Sequence, residues 1–331
     1  MKQKKTHLVV STLALVALAA FVTFVARTGY GQAQAGAQAS GVQPLALMPE
    51  KRAASEAAPA DAASKPTAVL ASDEKTSSLF AAAAARNTLL KYELSWAFGG
   101  KQQRGWHLYT PLISRMLETS GEAAGGDFAA ALSRWQKSTG LEPSGVLDGE
   151  TLYRMVGAWQ GARLKHKERA RPEELLLAPP SDFYDASRPE PLRHVERETY
   201  AAYKRMLAAA AADPSLGLKL TAAGELAPEE RFLKIISAHR SPEYQARLRA
   251  QSPNSGRAGL AVNSPHFTGR ALDIYVGGEP VETRDSNRAI QVQTAAYRWL
   301  VRNAERFGFR PYYYEPWHWE YVGTASATAS R

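Results

Sequence analysis

The chain begins with one uninterrupted apolar run. Leu8 to Ala26 carries no charge and follows Lys2, Lys4 and Lys5. As a helix rising 1.5 Å per residue, such a run spans roughly 28 Å, about the thickness of a bilayer core. A signal peptide shares the charged start, and Ala33-Gln34-Ala35 resembles a cleavage site. Residues 1–35 therefore read either as a cleaved signal or as an anchor held in the inner membrane through residues 8–26. Both readings export the rest of the chain to the periplasm or cell envelope, because the lysines favour the inside. Residues 36–77 are rich in Ala, Gln, Ser and Pro and nearly lack aromatics. They cannot bury enough apolar surface to fold, which predicts a disordered linker.

From Ser78 the apolar spacing becomes helical. Leu79, Phe80, Leu89, Leu90, Leu94 and Trp96 supply one apolar face, interrupted at Gly99-Gly100. A second helix is predicted from Pro111 through Ile113, Met116 and Leu117. A third follows Asp127 as N-cap, with Phe128, Leu132 and Trp135 at helical spacing and Gly140 as its stop. A turn-rich link leads to a short helix over Glu150–Met155. These elements predict a small helical domain over residues 78–165, with Leu132 and Trp135 in its core. Residues 166–190 are charged and rich in proline, which predicts a linker with one short helix at Glu173–Leu177.

The remainder mixes both periods. A long helix is predicted from about Leu192 to Ala212, a strand at Phe232–Ile236, and a helix from Pro242. A strand follows at Ala271–Val276, then a long helix from Arg288 to Phe307 with Ile290 on its apolar side. Two further strands are expected near Arg310–Tyr313 and His318–Val322. Strands and helices without regular alternation predict an α+β domain over residues 191–323. Residues 324–331 read as a disordered tail.

Composition changes this picture in two ways. There are no cysteines, so a metal site here must be built from histidine and carboxylate. The net charge is +9, which suits an anionic polymer, a lipid surface or nucleic acid. The basic residues are scattered, however, as at Arg163, Lys165, Lys167, Arg169 and Arg171. Such a run predicts solvated faces, and no nucleic acid partner is inferred.

The candidate chemistry sits in the last third. Ser264-Pro-His266-Phe-Thr-Gly269-Arg-Ala271-Leu-Asp273 and Glu315-Pro-Trp317-His318-Trp319-Glu320 bring two imidazoles together with several carboxylates. A catalytic zinc site uses three protein ligands plus water, and a carboxylate outside the metal shell acts as base. His266, Asp273 and His318 fit as ligands and Glu315 as base. On residue types and spacing alone, a set of unrelated surface residues is an equally open reading. Strand alternation puts Glu320 on the His318 face, which predicts a supporting role rather than ligation.

The motif Ser264-x-His266-x-x-Gly269-x-Ala271-x-Asp273 with Glu315-x-x-His318 resembles the signature of the LAS zinc peptidases. The ending Glu315-Pro-Trp-His-Trp-Glu-Tyr-Val-Gly323 resembles the VanY-like D-alanyl-D-alanine carboxypeptidases, as does the upstream block Ser237-Ala-His-Arg240-Ser-Pro-Glu-Tyr-Gln245. This resemblance implies an antiparallel sheet flanked by helices and one Zn2+ held by His266, Asp273 and His318. It assigns Glu315 as general base, Arg240 to substrate and to developing negative charge, and Ser264 to the substrate pocket. The implied reaction is hydrolysis of the terminal D-Ala-D-Ala bond of peptidoglycan stem peptides. An L,D-carboxypeptidase, an endopeptidase on the same wall and a non-catalytic zinc-containing wall-binding protein are the alternatives. Asn263-Ser-Pro265 replaces the Pro-Gly usual in that family before Ser-x-His. His239 stands where an aromatic is common, and a hydrogen-bonded structural role is expected for it. Upstream, Phe128 to Leu141, with Trp135-Gln136 and Gly140-Leu141, followed by Gly145-Val146-Leu-Asp148-Gly149-Glu-Thr151, resembles the three-helix peptidoglycan-binding domain. That likeness implies a wall-targeting role.

Overall fold

The computed structural model describes residues 80–252 and 260–324. The expectations for residues 1–35 and 36–77 and for the tail lie outside the described residues. Among the described residues no helix is long and apolar enough to cross a membrane.

The helical region holds α1 (Ala81–Glu93), α2 (Thr110–Met116), α3 (Gly126–Ser138) and α4 (Gly149–Gly161). Between α1 and α2, β1 (Ser95–Phe98) and β2 (Lys101–Arg104) pair as an antiparallel hairpin turning at Gly99-Gly100. The break seen in the sequence is thus a hairpin tip, where both glycines have positive φ. Leu89, expected on the apolar face, is exposed. Asp127 lies inside the first turn of α3, and Gly125 is the N-cap. The helix expected at Glu150–Met155 runs on to Gly161 and is capped by Asp148, which accepts from the Thr151 N–H. Leu132 is fully buried, whereas Trp135 is only partly so.

The residues of the upstream motif meet. Gln136 is buried; its Nε2 donates to the Val146 carbonyl and to Thr151 Oγ1, each at 3.0 Å, and its Oε1 accepts from Gly145 N–H at 2.8 Å. Asn87 closes the same turn from α1, donating to the Gly145 carbonyl and accepting from Leu147 N–H. Buried amides that satisfy turn backbone in this way hold the turn in one conformation. Gly145 sits at φ +69°, and a Cβ there would lie 2.8 Å from the Ala129 carbonyl oxygen.

The expected linker is partly ordered into the following domain. Leu175–Leu177 forms a strand (β3), not a helix, and pairs antiparallel with β4 (His194–Glu196). The first turn of the long helix expected from Leu192 is therefore extended. The helix proper is α5 (Arg197–Ala211), capped by the Glu196 carboxylate, which accepts from Glu198 N–H and Thr199 N–H. After it come β5 (Ile235–Ser237), α6 (Pro242–Gln251), β6 (Ala271–Ile274), α7 (Asp285–Gln293), α8 (Ala295–Asn303), β7 (Phe309–Pro311) and β8 (His318–Tyr321).

The long helix expected over Arg288–Phe307 is two helices. Thr294 adopts ψ 150° and caps α8 by accepting from Tyr297 N–H, and residues 304–307 form a 3-10 turn. Ile290 on α7 faces solvent. The helix turns at Thr294, so a single helical period drawn across both halves misplaces Ile290.

One four-stranded antiparallel sheet, ordered β5-β6-β8-β7, carries the C-terminal domain. All four residues of β6 and of β8 are buried. A continuous cluster of buried apolar side chains runs from Trp96 and Trp106 in the helical region to Trp317, Trp319 and Tyr321 in the sheet. Aromatic rings carry it across: Phe98 lies 4.9 Å from Tyr313 and Trp159 lies 5.8 Å from Tyr313, centroid to centroid. Arg288, fully buried, adds polar contacts to the Tyr314 carbonyl at 3.1 Å and the Tyr109 hydroxyl at 3.3 Å.

Candidate active site

The register of the sheet builds the site. Asp273 on β6 lies directly opposite His318 on β8 and opposite Ser237 on β5. Adjacent antiparallel strands bring facing side chains within about 5 Å, so three residues far apart in sequence become neighbours. Glu320, two residues beyond His318, points to the same face.

His266 arrives from a different kind of element. Pro265–Thr268 is a 3-10 turn whose cap is Ser264, with the Ser264 Oγ accepting from His266 N–H at 3.3 Å. Gly269 ends the turn at φ +67°. A Cβ there would meet Glu196 N and the Leu175 side chain, each at 2.9 Å. The turn can pack so closely against the β3–β4 ribbon only because that position is glycine.

His266, Asp273 and His318 are buried, and one ligand atom from each lies within 4.8 Å of the others. His266 Nε2 is 3.3 Å from Asp273 Oδ1, and His318 Nδ1 is 2.9 Å from the same oxygen. The remaining ring nitrogens are engaged behind the site. His266 Nδ1 is 2.7 Å from the Ala238 carbonyl, where only a donor fits, so Nε2 carries the free lone pair. His318 Nε2 is 3.2 Å from Glu320 Oε1 and donates to it, while Nδ1 faces Asp273; between two carboxylates the metal-free ring holds a proton on each nitrogen, and Nδ1 would release its own to ligate a metal. Histidines held from behind by carbonyl or carboxylate are the usual arrangement at protein metal sites. Ligand atoms on a tetrahedral zinc, each about 2.0–2.2 Å away, lie about 3.3–3.5 Å apart. The donor types suit zinc, and the two separations from Asp273 Oδ1, 3.3 and 2.9 Å, lie near that spacing.

Arg240 holds the other oxygen of Asp273. Its guanidinium pairs with Asp273 Oδ2, donates from Nε to Ser237 Oγ at 2.9 Å and from NH1 to Gln245 Oε1 at 3.3 Å. Three of its five N–H groups are thus used, and two remain. Glu315 is buried at the turn before β8, with Oε2 4.0 Å from His318 Nδ1 and no hydrogen bond between them. His239 is half-buried, and its backbone N–H donates to the His194 carbonyl at 3.1 Å.

The electrostatics follow from burial and neighbours. Burial pushes the Glu315 carboxyl up to about 8, the His318 imidazolium pulling against it and Asp273 adding to it. Burial, with Arg240 beside it, drives His266 down to about 4. For His318, burial acts to lower the value, but hydrogen bonds to Asp273 and Glu320 outweigh it and raise it to about 9. Asp273 sits well below the carboxylate range: burial opposes ionisation, and His266 and Arg240 overcome it.

All six residues singled out in the sequence (Arg240, Ser264, His266, Asp273, Glu315 and His318) line one cleft of about 510 Å3. The cleft also has a wall that the sequence reading missed. Phe98 and Gly99 at the hairpin tip, Gln160 in α4, and Arg163 and Lys167 beyond it line the same cleft. Arg163, read as part of a solvated basic run, is instead mostly buried, with its side chain 15% exposed and paired with Glu320. The tip was detectable as Gly99-Gly100, but its destination depends on packing between the two regions.

Residues 193–324 match the family model VanY, described as D-alanyl-D-alanine carboxypeptidase. A solved structure described as "Structure of the LdcB LD-carboxypeptidase reveals the molecular basis of peptidoglycan recognition" aligns with 49% of this chain and 73% of its own at 25% identity, with a TM-score of 0.33. No curated protein matches the chain.

Proposed function

We propose, from the premise that residues 193–324 are a VanY-type domain, that the chain is a zinc-dependent D,D-carboxypeptidase of peptidoglycan stem peptides. The observation that carries this reading is the convergence of one ligand atom each from His266, Asp273 and His318 within 4.8 Å, beside the buried carboxyl of Glu315. His266, Asp273 and His318 would hold one Zn2+, which when bound supplies Lewis-acid activation of water and of the scissile carbonyl.

The chain's own residues do the rest. Glu315 takes the proton of the attacking water and returns it to the leaving amine; it lines the cleft beside the three ligands without being one of them. Arg240 keeps Asp273 in one orientation, and its two remaining N–H groups are available to the negative charge that develops in the cleft or to the terminal carboxylate of the substrate. Ser264 lines the pocket while capping the turn that carries His266. The cleft mixes apolar side chains such as Phe98, Leu248 and Trp317 with polar and charged ones such as Gln160, Arg163 and Lys167, which suits a peptide substrate ending in a carboxylate.

Residues 78–165 are proposed to help hold the enzyme on the wall, and residues 1–35 to export it. The resemblance of the Gln136 turn to the peptidoglycan-binding domain supports the first of these, and the charged and apolar start of the chain the second.

Mass spectrometry of the products tests the scissile bond. The zinc-loaded chain should convert a pentapeptide stem to a tetrapeptide plus free D-Ala. Release of D-Ala from a tetrapeptide instead would make it an L,D-enzyme, and cleavage of a crosslinked dimer an endopeptidase. No cleavage of any stem, with zinc bound, would reduce it to a wall-binding protein.

A further inference from the structure

Beyond Gly161, the last residue of α4, the chain packs against strand β8 of the four-stranded sheet. Leu164 N–H donates to Glu320 Oε2 at 2.9 Å, and the Arg163 guanidinium pairs with Glu320 Oε1. The Glu320 side chain is completely buried. The guanidinium is fixed from two more directions. It donates to Gln160 Oε1 in α4 at 2.7 Å, and it lies over the Tyr312 ring at 4.0 Å from the centroid, within cation–π range. Its basic neighbours do none of this: Lys165, Arg169 and Arg171 are exposed.

Both oxygens of Glu320 are therefore assigned. One goes to Leu164 N–H, and the other is shared between Arg163 and His318 Nε2. A carboxylate held on three sides cannot rotate away, so it keeps the imidazole plane of His318 fixed. The ring's other nitrogen, Nδ1, is the one aimed at Asp273. Partners behind a metal-binding histidine govern affinity by about 10–100-fold.

We propose that Arg163, delivered by the helical region, is a positioning residue of the metal site: it anchors Glu320, which orients His318. The helical region is then a working part of the catalytic centre as well as a neighbour of it. This rests on the zinc reading above, but its test needs no substrate.

The full chain would be titrated with zinc against a chromophoric chelator. Arg163→Gln and the isosteric Glu320→Gln are each expected to weaken zinc by about 10–100-fold. The double variant should be no weaker than Glu320→Gln alone, because both changes break one relay. Arg163→Lys, which keeps a cation opposite Glu320, should recover part of the loss, and Lys165→Ala should change nothing. In the metal-free chain, the His318 Nε2–H proton resonance should exchange slowly in the parent and rapidly in Arg163→Gln. If Arg163→Gln does not fold, Glu320→Gln carries the test. Zinc held by Glu320→Gln as tightly as by the parent overturns the proposal. So does a double variant whose loss is the product of the two single losses. A chain that shows this coupling yet cleaves no stem peptide would overturn the peptidase reading and leave the relay standing.

Discussion

Exchanging Glu315 for glutamine keeps the size of the side chain and removes its ability to carry a proton. The side chain is buried and lies 4.0 Å from His318 Nδ1, outside hydrogen-bond distance, and it is not one of the three convergent ligands. Zinc affinity should therefore stay within a few-fold of the parent. General acid–base catalysis contributes about 10²–10⁴-fold, or about 2.7–5.4 kcal/mol of barrier. kcat for release of D-Ala should fall by that factor, with KM little changed. A variant that turns over within tenfold of the parent would refute the assignment of Glu315 as base.

The same exchange has a signature in stability. In the metal-free chain, burial raises Glu315 from 4.5 to about 8. The folded state then holds a proton that the unfolded state has released, so stability falls as pH rises from about 4.5 to 8. At about 1.36 kcal/mol per pH unit, the fall attributable to this group is up to about 5 kcal/mol. His318, raised to about 9, works in the same direction: its contribution is complete below 6.5 and is lost as pH rises through 9. Chelator-treated parent should therefore lose stability in urea titrations between pH 5 and 9. Chelator-treated Glu315→Gln should lose distinctly less and become the more stable of the two at pH 9. Parallel curves would mean that Glu315 is ionised in the fold at neutral pH, contrary to its burial.

Other perturbations read different parts of the construction. Gly269→Ala places a Cβ 2.9 Å from Glu196 N at φ +67°; it should cost about 1–3 kcal/mol and weaken zinc by shifting the turn that carries His266, measured by urea midpoint and chelator competition. Arg288→Met removes contacts to the Tyr314 carbonyl, Tyr109 and Asp285, together with a ring contact to Tyr314 at 4.4 Å; a loss of about 2–5 kcal/mol is expected, and a loss under 1 kcal/mol would show that the aromatic packing alone joins the two regions. Zinc at 100 times its dissociation constant should stabilise the chain by about 2.7 kcal/mol, and a melting temperature unmoved by chelator would contradict a native metal site.

Most of the site was legible because its residues sit on elements with strong local codes. Ser264 and Gly269 bracket a turn by capping and by positive φ, and the alternation His318-Trp319-Glu320 fixes which side chains share a face. What the sequence could not supply was the pairing register. Asp273 faces His318 because β6 lies beside β8, a contact between distant segments that no local pattern encodes. The long helix over Arg288–Phe307 failed for a related reason: Thr294 is compatible with a helix, and it becomes a break by capping α8 and donating to the Val276 carbonyl at 2.7 Å.

Arg163 shows the limit most sharply. In sequence it is one cation in a basic run, and hydropathy assigns the whole run to solvent. In the fold it lies two residues beyond the end of α4, where the Tyr312 ring and a buried carboxylate are within reach, and Lys165 two residues on is exposed. The distinction comes from the length of α4, which continues past Met155 to Gly161 and so sets where the chain emerges over the sheet. Shortening or lengthening α4 by one residue would rotate Arg163 about 100° away from Glu320. If the relay from Arg163 to His318 operates, the length of that helix is a catalytic requirement, and the boundary between the two regions cannot be drawn between them without crossing the metal site.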